Sequence, residues 1–223
     1  ALAVLALAVL LTAGCGKQAV VNVYNWGDYM DPAVLEAFEK ETKIKVIYDV
    51  YSTNEELLAK LKAGGTNYDV VIPSTNMLEV FLAQDLISEI DLSKIPNFKN
   101  LDPQFTNLES DPGNKYSVPY FWGTIGILYN AKAIGTEIDS WRAMFDPKYS
   151  GKIIMFDSVR DTIGVTLKML GYSLNSTDPA QLSEVEQLLI KQKPLLHSYT
   201  VDAYEDPLLA GDARAREYAV AHS

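Results

Sequence analysis

Hydrophobic and polar positions along the chain switch between a two-residue and a helical period, and the switches mark out a series of strands and helices. Residues 21–24 (VNVY) carry strand formers, and Asn25 and Gly27 break the pattern. A buried strand is therefore expected to run out into the loop Trp26-Gly27-Asp28-Tyr29. Asp31-Pro32 opens a helix, with Asp31 at the N-cap and Pro32 at the first helical position. Over residues 32–41, Val34, Leu35 and Phe38 fall on one face of it. Residues 44–51 (IKVIYDVY) predict a second strand. Two overlapping capping boxes, Ser52-x-x-Glu55 and Thr53-x-x-Glu56, predict a helix with Leu57, Leu58 and Leu61 on its apolar stripe, stopping at Gly64-Gly65. A third strand is expected over 68–75, a helix over 76–84, and short elements and turns over 85–115.

Strand character returns at 116–130 (YSVPYFWGTIGILYN), interrupted by Gly123 and Gly126. A boundary between two lobes is expected at Trp122-Gly123, giving 15–122 and 123–223 with a cleft between them. Ser140 caps a short helix over 141–145, and KIIMF (152–156) is the next strand. It leads into Asp157-Ser158-Val159-Arg160-Asp161, repeating the strand-then-polar-loop pattern of 21–29. A helix to about Leu170, capped by Gly171, follows. Asp178-Pro179 starts another to about Lys191, with Leu182, Val185, Leu188 and Leu189 facing inward. Residues 195–200 form a last short strand. The alternation predicts an α/β fold with mostly parallel sheets covered by helices. In such folds ligands bind beyond the carboxyl ends of strands, which singles out the loops at 26–29, 74–76 and 157–161.

The first residues change the setting. Residues 1–14 (ALAVLALAVLLTAG) are an apolar run too short to span a membrane comfortably, and they fit the apolar region of a secretory signal. Thr12-Ala13-Gly14-Cys15 resembles a bacterial lipoprotein cleavage site, with Cys15 as the acylated residue; a plain signal with an incidental Cys is the alternative. The lack of an initiator Met and of a basic leading segment is what a chain beginning inside its signal would show. Cys15 is the one cysteine, so no intrachain disulfide is expected.

Charge and composition then narrow the chemistry. Hydrophobic residues make up 48% of the 223 and suffice for a core. The net charge of −10 argues against nucleic acid, whose phosphates need a basic face, and is compatible with a cationic ligand. With two histidines, His197 and His222, and no GxSxG, Walker, HExxH or GxGxxG pattern, neither an enzyme nor a cofactor or metal site is expected. Trp26, Asp28 and Tyr29 suit an organic cation instead, through a carboxylate and aromatic faces. Their structural alternatives are loop packing for the rings, a turn role for Asp28, and for Asp161 a favourable charge in a first helical turn. Arg160 is expected to anchor its loop through an ion pair.

The runs YNWGDYMDPAVLEAFEKETKIKVIY, NYDVVIPST, NFKNLDP and YSVPYFWGTIGILYN resemble the spermidine/putrescine-binding proteins of bacterial ABC importers, over roughly residues 20–210. The resemblance implies a type II periplasmic-binding-protein fold, whose two α/β lobes close on a polyamine. It implies a monomeric binding protein rather than an enzyme, handing its cargo to an ABC permease in the cytoplasmic membrane. Such a protein is exported to the periplasmic space or the outer face of that membrane and touches the membrane only through a lipid anchor. Position by position, Trp26, Gly27, Asp28 and Tyr29 fall on the family's first binding loop. Ser74 and Thr75 match the loop after the third strand, and Asn76 stands where an aromatic is expected. Asp161 falls on a carboxylate that holds an ammonium; Ser158 stands where a second acid is expected, with Asp157 adjacent.

Family chains continue further. Here the resemblance fades near Gly211-Asp212, and residues 213–223 (ARAREYAVAHS) lack the apolar strand expected there. The second lobe is thus expected to be incomplete and the polypeptide unstable or weakly binding; a cooperative thermal transition shifted upward by polyamine would refute that. A same-fold binder of another amine, an amino acid or a sugar is the runner-up. A carboxylate-dependent hydrolase using Asp28 and Asp161 is a distant third. Fewer matched acids favour the shorter diamine, so isothermal titration should find putrescine bound more tightly than spermidine. Spermidine bound at least as tightly would overturn that expectation.

Overall fold

The computed structural model describes residues 18–64, 67–201, 204–210 and 215–222. The signal and lipidation expectations, residues 1–14 and Cys15, lie outside them. In chain order the elements are β1 (Val20–Trp26), α1 (Pro32–Thr42), β2 (Lys45–Tyr51), α2 (Asn54–Lys62), β3 (Val70–Val71), α3 (Leu78–Ala83) and β4 (Trp122–Tyr129). Then come α4 (Ala131–Ile134), β5 (Ile153–Phe156), α5 (Val159–Met169), α6 (Pro179–Gln192), β6 (Leu196–Thr200), α7 (Glu205–Ala210) and β7 (Ala215–His222). The chain divides into two compact units, residues up to Val50 with Gly65–Ile72, and Tyr51–Gly64 with Pro73 onward. Trp122 and Gly123, where the sequence places a lobe boundary, are the first two residues of β4.

The first unit is a three-stranded sheet of order β2-β1-β3, with β3 parallel to β1 and Val23 opposite Val70. The strand expected over 68–75 shortens to Val70–Val71. Pro73 has no N–H to continue a ladder, and Thr75–Met77 winds into a 3-10 turn that leads into α3. Asp31 caps α1 as expected, accepting the Ala33 N–H at 2.8 Å. The apolar face of α1 is not buried, however, with Val34 56% and Phe38 40% exposed. The buried anchor of this unit is Tyr24, whose ring stacks on Tyr68 at 4.5 Å and 6°. The Tyr68 hydroxyl donates to Asp49 Oδ2 at 2.7 Å. Nearby, Asp69 accepts both the backbone N–H and the side-chain amide of Asn22, and these bonds hold its carboxyl below the usual range.

The second unit holds a four-stranded sheet of order β4-β7-β5-β6. β5 runs parallel to both β6 and β7, while β7 is antiparallel to β4 along its whole length, from Trp122 opposite His222 to Tyr129 opposite Ala215. Residues 215–222, within the stretch expected to lack an apolar strand, thus form one. The segment is short of large aliphatic side chains, and its strand is made by backbone pairing to two neighbours at once. Ile153, Ile154 and Met155 of β5 are fully buried, each contributing about 1.5–3 kcal/mol of apolar burial. Met144 and Tyr149 pack with Ile153 and Met155 and with partly buried Ile127, Trp141 and Leu196, while Ile154 packs with Leu208. Of the expected inward face of α6, Val185 is fully buried, Leu188 and Leu189 partly so, and Leu182 is exposed. The turns at 107–117 are ordered by buried Asp111, which accepts the N–H groups of Lys115, Tyr116 and Ser117 and the Ser117 hydroxyl.

Burial, together with the hydrogen bond to Asp49, pushes the Tyr68 phenol up to about 12. The folded protein thus favours the protonated phenol. The stabilisation is complete below the ordinary tyrosine value near 10 and is lost as pH climbs through about 12. Near-ultraviolet titration should show a late tyrosinate phase near pH 12 that Tyr68→Phe removes. A late phase unchanged in that variant would assign the shift to another ring.

Candidate binding site

Two sets of sequence-predicted residues are positioned separately, one in each unit. In the first unit, β1 ends at Trp26 and the chain turns through Gly27 and Asp28, both exposed. Asn25 beneath them is fully buried, and its Oδ1 accepts the Trp26 N–H at 2.8 Å. Its Nδ2 has no hydrogen-bond partner among the described residues. The rings of Trp26 and Tyr29 face each other at 6.1 Å and 41°, with Asp28 between them in sequence. The loop thus presents a tilted aromatic pair beside an exposed carboxylate.

In the second unit, Ser74, Thr75, Asn76, Ser158 and Asp161 meet in one cavity of about 680 Å³, within the roughly 300–1,000 Å³ usual for small-molecule sites. Ser158 caps α5. Its Oγ accepts the Asp161 N–H at 3.3 Å and donates back to Asp161 Oδ2 at 2.7 Å. That reciprocal pair holds the carboxylate at the helix start, where the exposed N–H groups favour negative charge, and leaves Asp161 Oδ1 without a partner among the described residues. Thr162, one residue on, donates to the Phe156 carbonyl at 2.7 Å and ties the helix start to the end of β5. The far end of α5 closes as expected at Gly171, whose φ is 87°. The Tyr172 N–H returns to the Leu167 carbonyl at 2.9 Å and the Gly171 N–H to Lys168 at 3.0 Å, a Schellman pair.

The cavity also takes in residues not anticipated from sequence: Asn54, Glu79, Ser110 and Asn175. Arg160 lines it too, and its expected role needs correction. Among the described residues it has no carboxylate partner, and its guanidinium bonds the side-chain oxygen of Asn175 instead. The acid next to it, Asp161, is engaged by Ser158. Glu79, in the first turn of α3, has no hydrogen-bond or ion-pair partner among the described residues. Two carboxylates against one guanidinium leave the lining with one net negative charge. Asn76 adds an amide where an aromatic face was expected. A polar, hydroxyl- and carboxylate-rich cavity of this kind offers hydrogen-bond acceptors to one ammonium group. Glu79 and Asn54 carry no motif in the sequence, since only the fold brings them to the loops at 74–76 and 158–161.

The family of bacterial extracellular solute-binding proteins matches residues 33–215. The chain is 40% identical over 191 residues to the spermidine/putrescine-binding periplasmic protein of Salmonella typhimurium, a match covering 85% of this chain and 55% of that protein. It therefore spans about half the length of such relatives. Among solved structures, it superposes on a putative spermidine/putrescine ABC transporter protein from Listeria monocytogenes with a TM-score of 0.84 and 40% identity, over 90% of this chain and 62% of that one. A lipoprotein of Treponema pallidum, TpPotD, superposes with a TM-score of 0.81 and 31% identity, over 89% and 63%. The α/β architecture with mostly parallel sheets is that of these periplasmic binding proteins, of which the chain covers part.

The Ser158–Asp161 pair should be measurable as stability. Ser158→Ala removes both a cap and a bond to a carboxylate and should lower unfolding free energy by about 1–2 kcal/mol, whereas Ser158→Thr should keep most of it. Urea unfolding followed by circular dichroism reads the difference; an Ala variant as stable as the unmutated chain would mean that the pair contributes nothing.

Proposed function

The chain belongs to the bacterial extracellular solute-binding proteins, and we propose that it is the ligand-binding part of a polyamine receptor that delivers its cargo to an ABC importer. The observation that carries this reading is the polar cavity in which Asp161, positioned by Ser158, lines up with Glu79 and the Ser74–Asn76 loop around one net negative charge. An ammonium bonded to such a carboxylate gains about 1.5–3 kcal/mol net. A buried methylene chain adds about 0.8 kcal/mol per CH₂. Trp26, Gly27, Asp28 and Tyr29 belong to the same proposal. Their aromatic pair supplies cation–π faces worth roughly 0.5–2 kcal/mol, and Asp28 supplies a further carboxylate. With Ser158 and Asn76 at positions where the family resemblance expects an acid and an aromatic ring, the short diamine putrescine is the preferred ligand.

Supporting this reading is the similarity to proteins whose names state spermidine and putrescine binding. The protein binds and releases and performs no turnover. We further propose export, a lipid anchor on Cys15, action as a monomer, and a permease partner in the cytoplasmic membrane. The T. pallidum relative, itself described as a lipoprotein, supports the anchor. One observation favours a second reading: Arg160 lines the cavity without a carboxylate partner among the described residues, which would suit a solute bearing an acidic group, such as an amino acid.

Calorimetric titration with putrescine, spermidine, an amino acid and a sugar separates the two, with tryptophan fluorescence as a second signal. Putrescine should bind, and Asp161→Asn should weaken it by about 10- to 100-fold. Binding of the amino acid in preference to either polyamine, or an Asp161→Asn variant of unchanged affinity, would overturn the polyamine reading.

A further inference from the structure

We propose that Asn54 is the positioning residue that sets the ligand-facing loop Ser74–Asn76, an inference that rests on the binding reading above. Asn54 is the first residue of α2, a buried polar side chain only 8% exposed. Its amide reaches across 20 positions of sequence to a single partner. Asn54 Oδ1 accepts the Ser74 N–H at 3.2 Å, and Asn54 Nδ2 donates to Ser74 Oγ at 3.1 Å. The orientation of the amide is forced, because a backbone N–H only donates and must face the oxygen. Nδ2 is then turned to Ser74 Oγ, which accepts from it. The hydroxyl hydrogen of Ser74 is directed elsewhere as a result.

The consequence reaches the whole loop. Ser74 is the extended residue (φ −67°, ψ 148°) from which the 3-10 turn Thr75–Met77 starts, and its carbonyl accepts the Met77 N–H at 2.9 Å. One side chain therefore holds both the backbone donor and the hydroxyl of the residue that launches Thr75 and Asn76 into the cavity. Asn54 is itself rigidly placed. Of the two overlapping capping boxes, the structure uses the Thr53 arm of the second: the Glu56 N–H donates to Thr53 Oγ1 at 3.1 Å, while Glu56 Oε2 accepts the N–H of Ser52, one residue before the cap, at 3.0 Å. Leu57, one turn on, is fully buried. With Thr53 capping the helix, the side chain of Asn54 is left for the loop.

The test combines calorimetric titration with putrescine and amide hydrogen exchange at Ser74, on the full chain. Asn54→Ala should weaken putrescine about tenfold and speed exchange at Ser74 by at least about tenfold. Asn54→Asp keeps the acceptor for the Ser74 N–H and should restore protection at Ser74 to within about threefold of the unmutated chain. In urea unfolding the double variant N54A/S74A should be no less stable than N54A alone, because both changes break the same contact. Affinity within about twofold of the unmutated chain in Asn54→Ala, alongside a lowered melting temperature, would reduce Asn54 to a packing residue and overturn the proposal. So would failure of Asn54→Asp to rescue. Should the unmutated chain bind no polyamine, the functional reading fails on its own, and the exchange arm alone decides whether Asn54 sets the loop.

Discussion

Each helix start leaves backbone N–H groups without a partner inside the helix, and the organisation of this chain depends on how it meets that constraint. Short polar side chains do it repeatedly: Asp31 for α1, Thr53 for α2, Asn130 for α4, Ser158 for α5 and Asp178 for α6. The 3-10 turns use the same device through Asp91, Asp102, Ser140 and Asp146. Such caps fix where each helix begins and therefore where the preceding strand must release the chain. The candidate site is this device put to a second use. At Ser158 the capping hydroxyl also donates forward to a carboxylate, so one local bond both starts α5 and aims Asp161.

The local half of this architecture was legible in the sequence. Asp31-Pro32, Asp178-Pro179, Ser140 and Gly171 fall where capping chemistry puts them, because those signals act over three or four residues. What depends on distant pairing was not legible. β7 falls in a tail that reads as lacking the expected apolar strand, yet it pairs on one side with β4 and on the other with β5. The third strand looked eight residues long and has two, because Pro73 and the turn after it end the ladder. In α1 the 3.6-residue period marked Val34 and Phe38 as a burying face, whereas burial depends on what lies opposite, and among the described residues both stay exposed.

The site divides in the same way. Strand-end position and family resemblance pointed to the loops at 26–29, 74–76 and 157–161, and residues of the last two do line one cavity, though Asp157 is not among them. Glu79 and Asn175 were invisible because nothing in their own neighbourhoods is unusual, and Asn54 because the capping boxes around it mark a helix start and not a contact 20 positions away. Arg160 was misjudged for a related reason: a cation beside an acid in sequence suggests an ion pair, but the acid was already engaged by Ser158 and the guanidinium turned to an amide. The two loops also differ in kind. The one at Trp26–Tyr29 offers ring faces and the cavity offers oxygens.

The order of the second sheet carries a consequence for the timing of assembly. β7, the latest of the described strands in sequence, lies inside the sheet, between β4 and β5. Those two earlier strands are not hydrogen-bonded neighbours, so β4 has no place in the sheet until a segment some ninety residues downstream arrives. Contacts of such long separation form slowly, since the loop must close before pairing rewards it. β5 and β6 pair without waiting, as a parallel unit bridged by α5 and α6. The second unit thus has a nucleus that is ready early and an edge that joins late, and a nascent chain would carry the β4 edge unpaired until synthesis had passed His222.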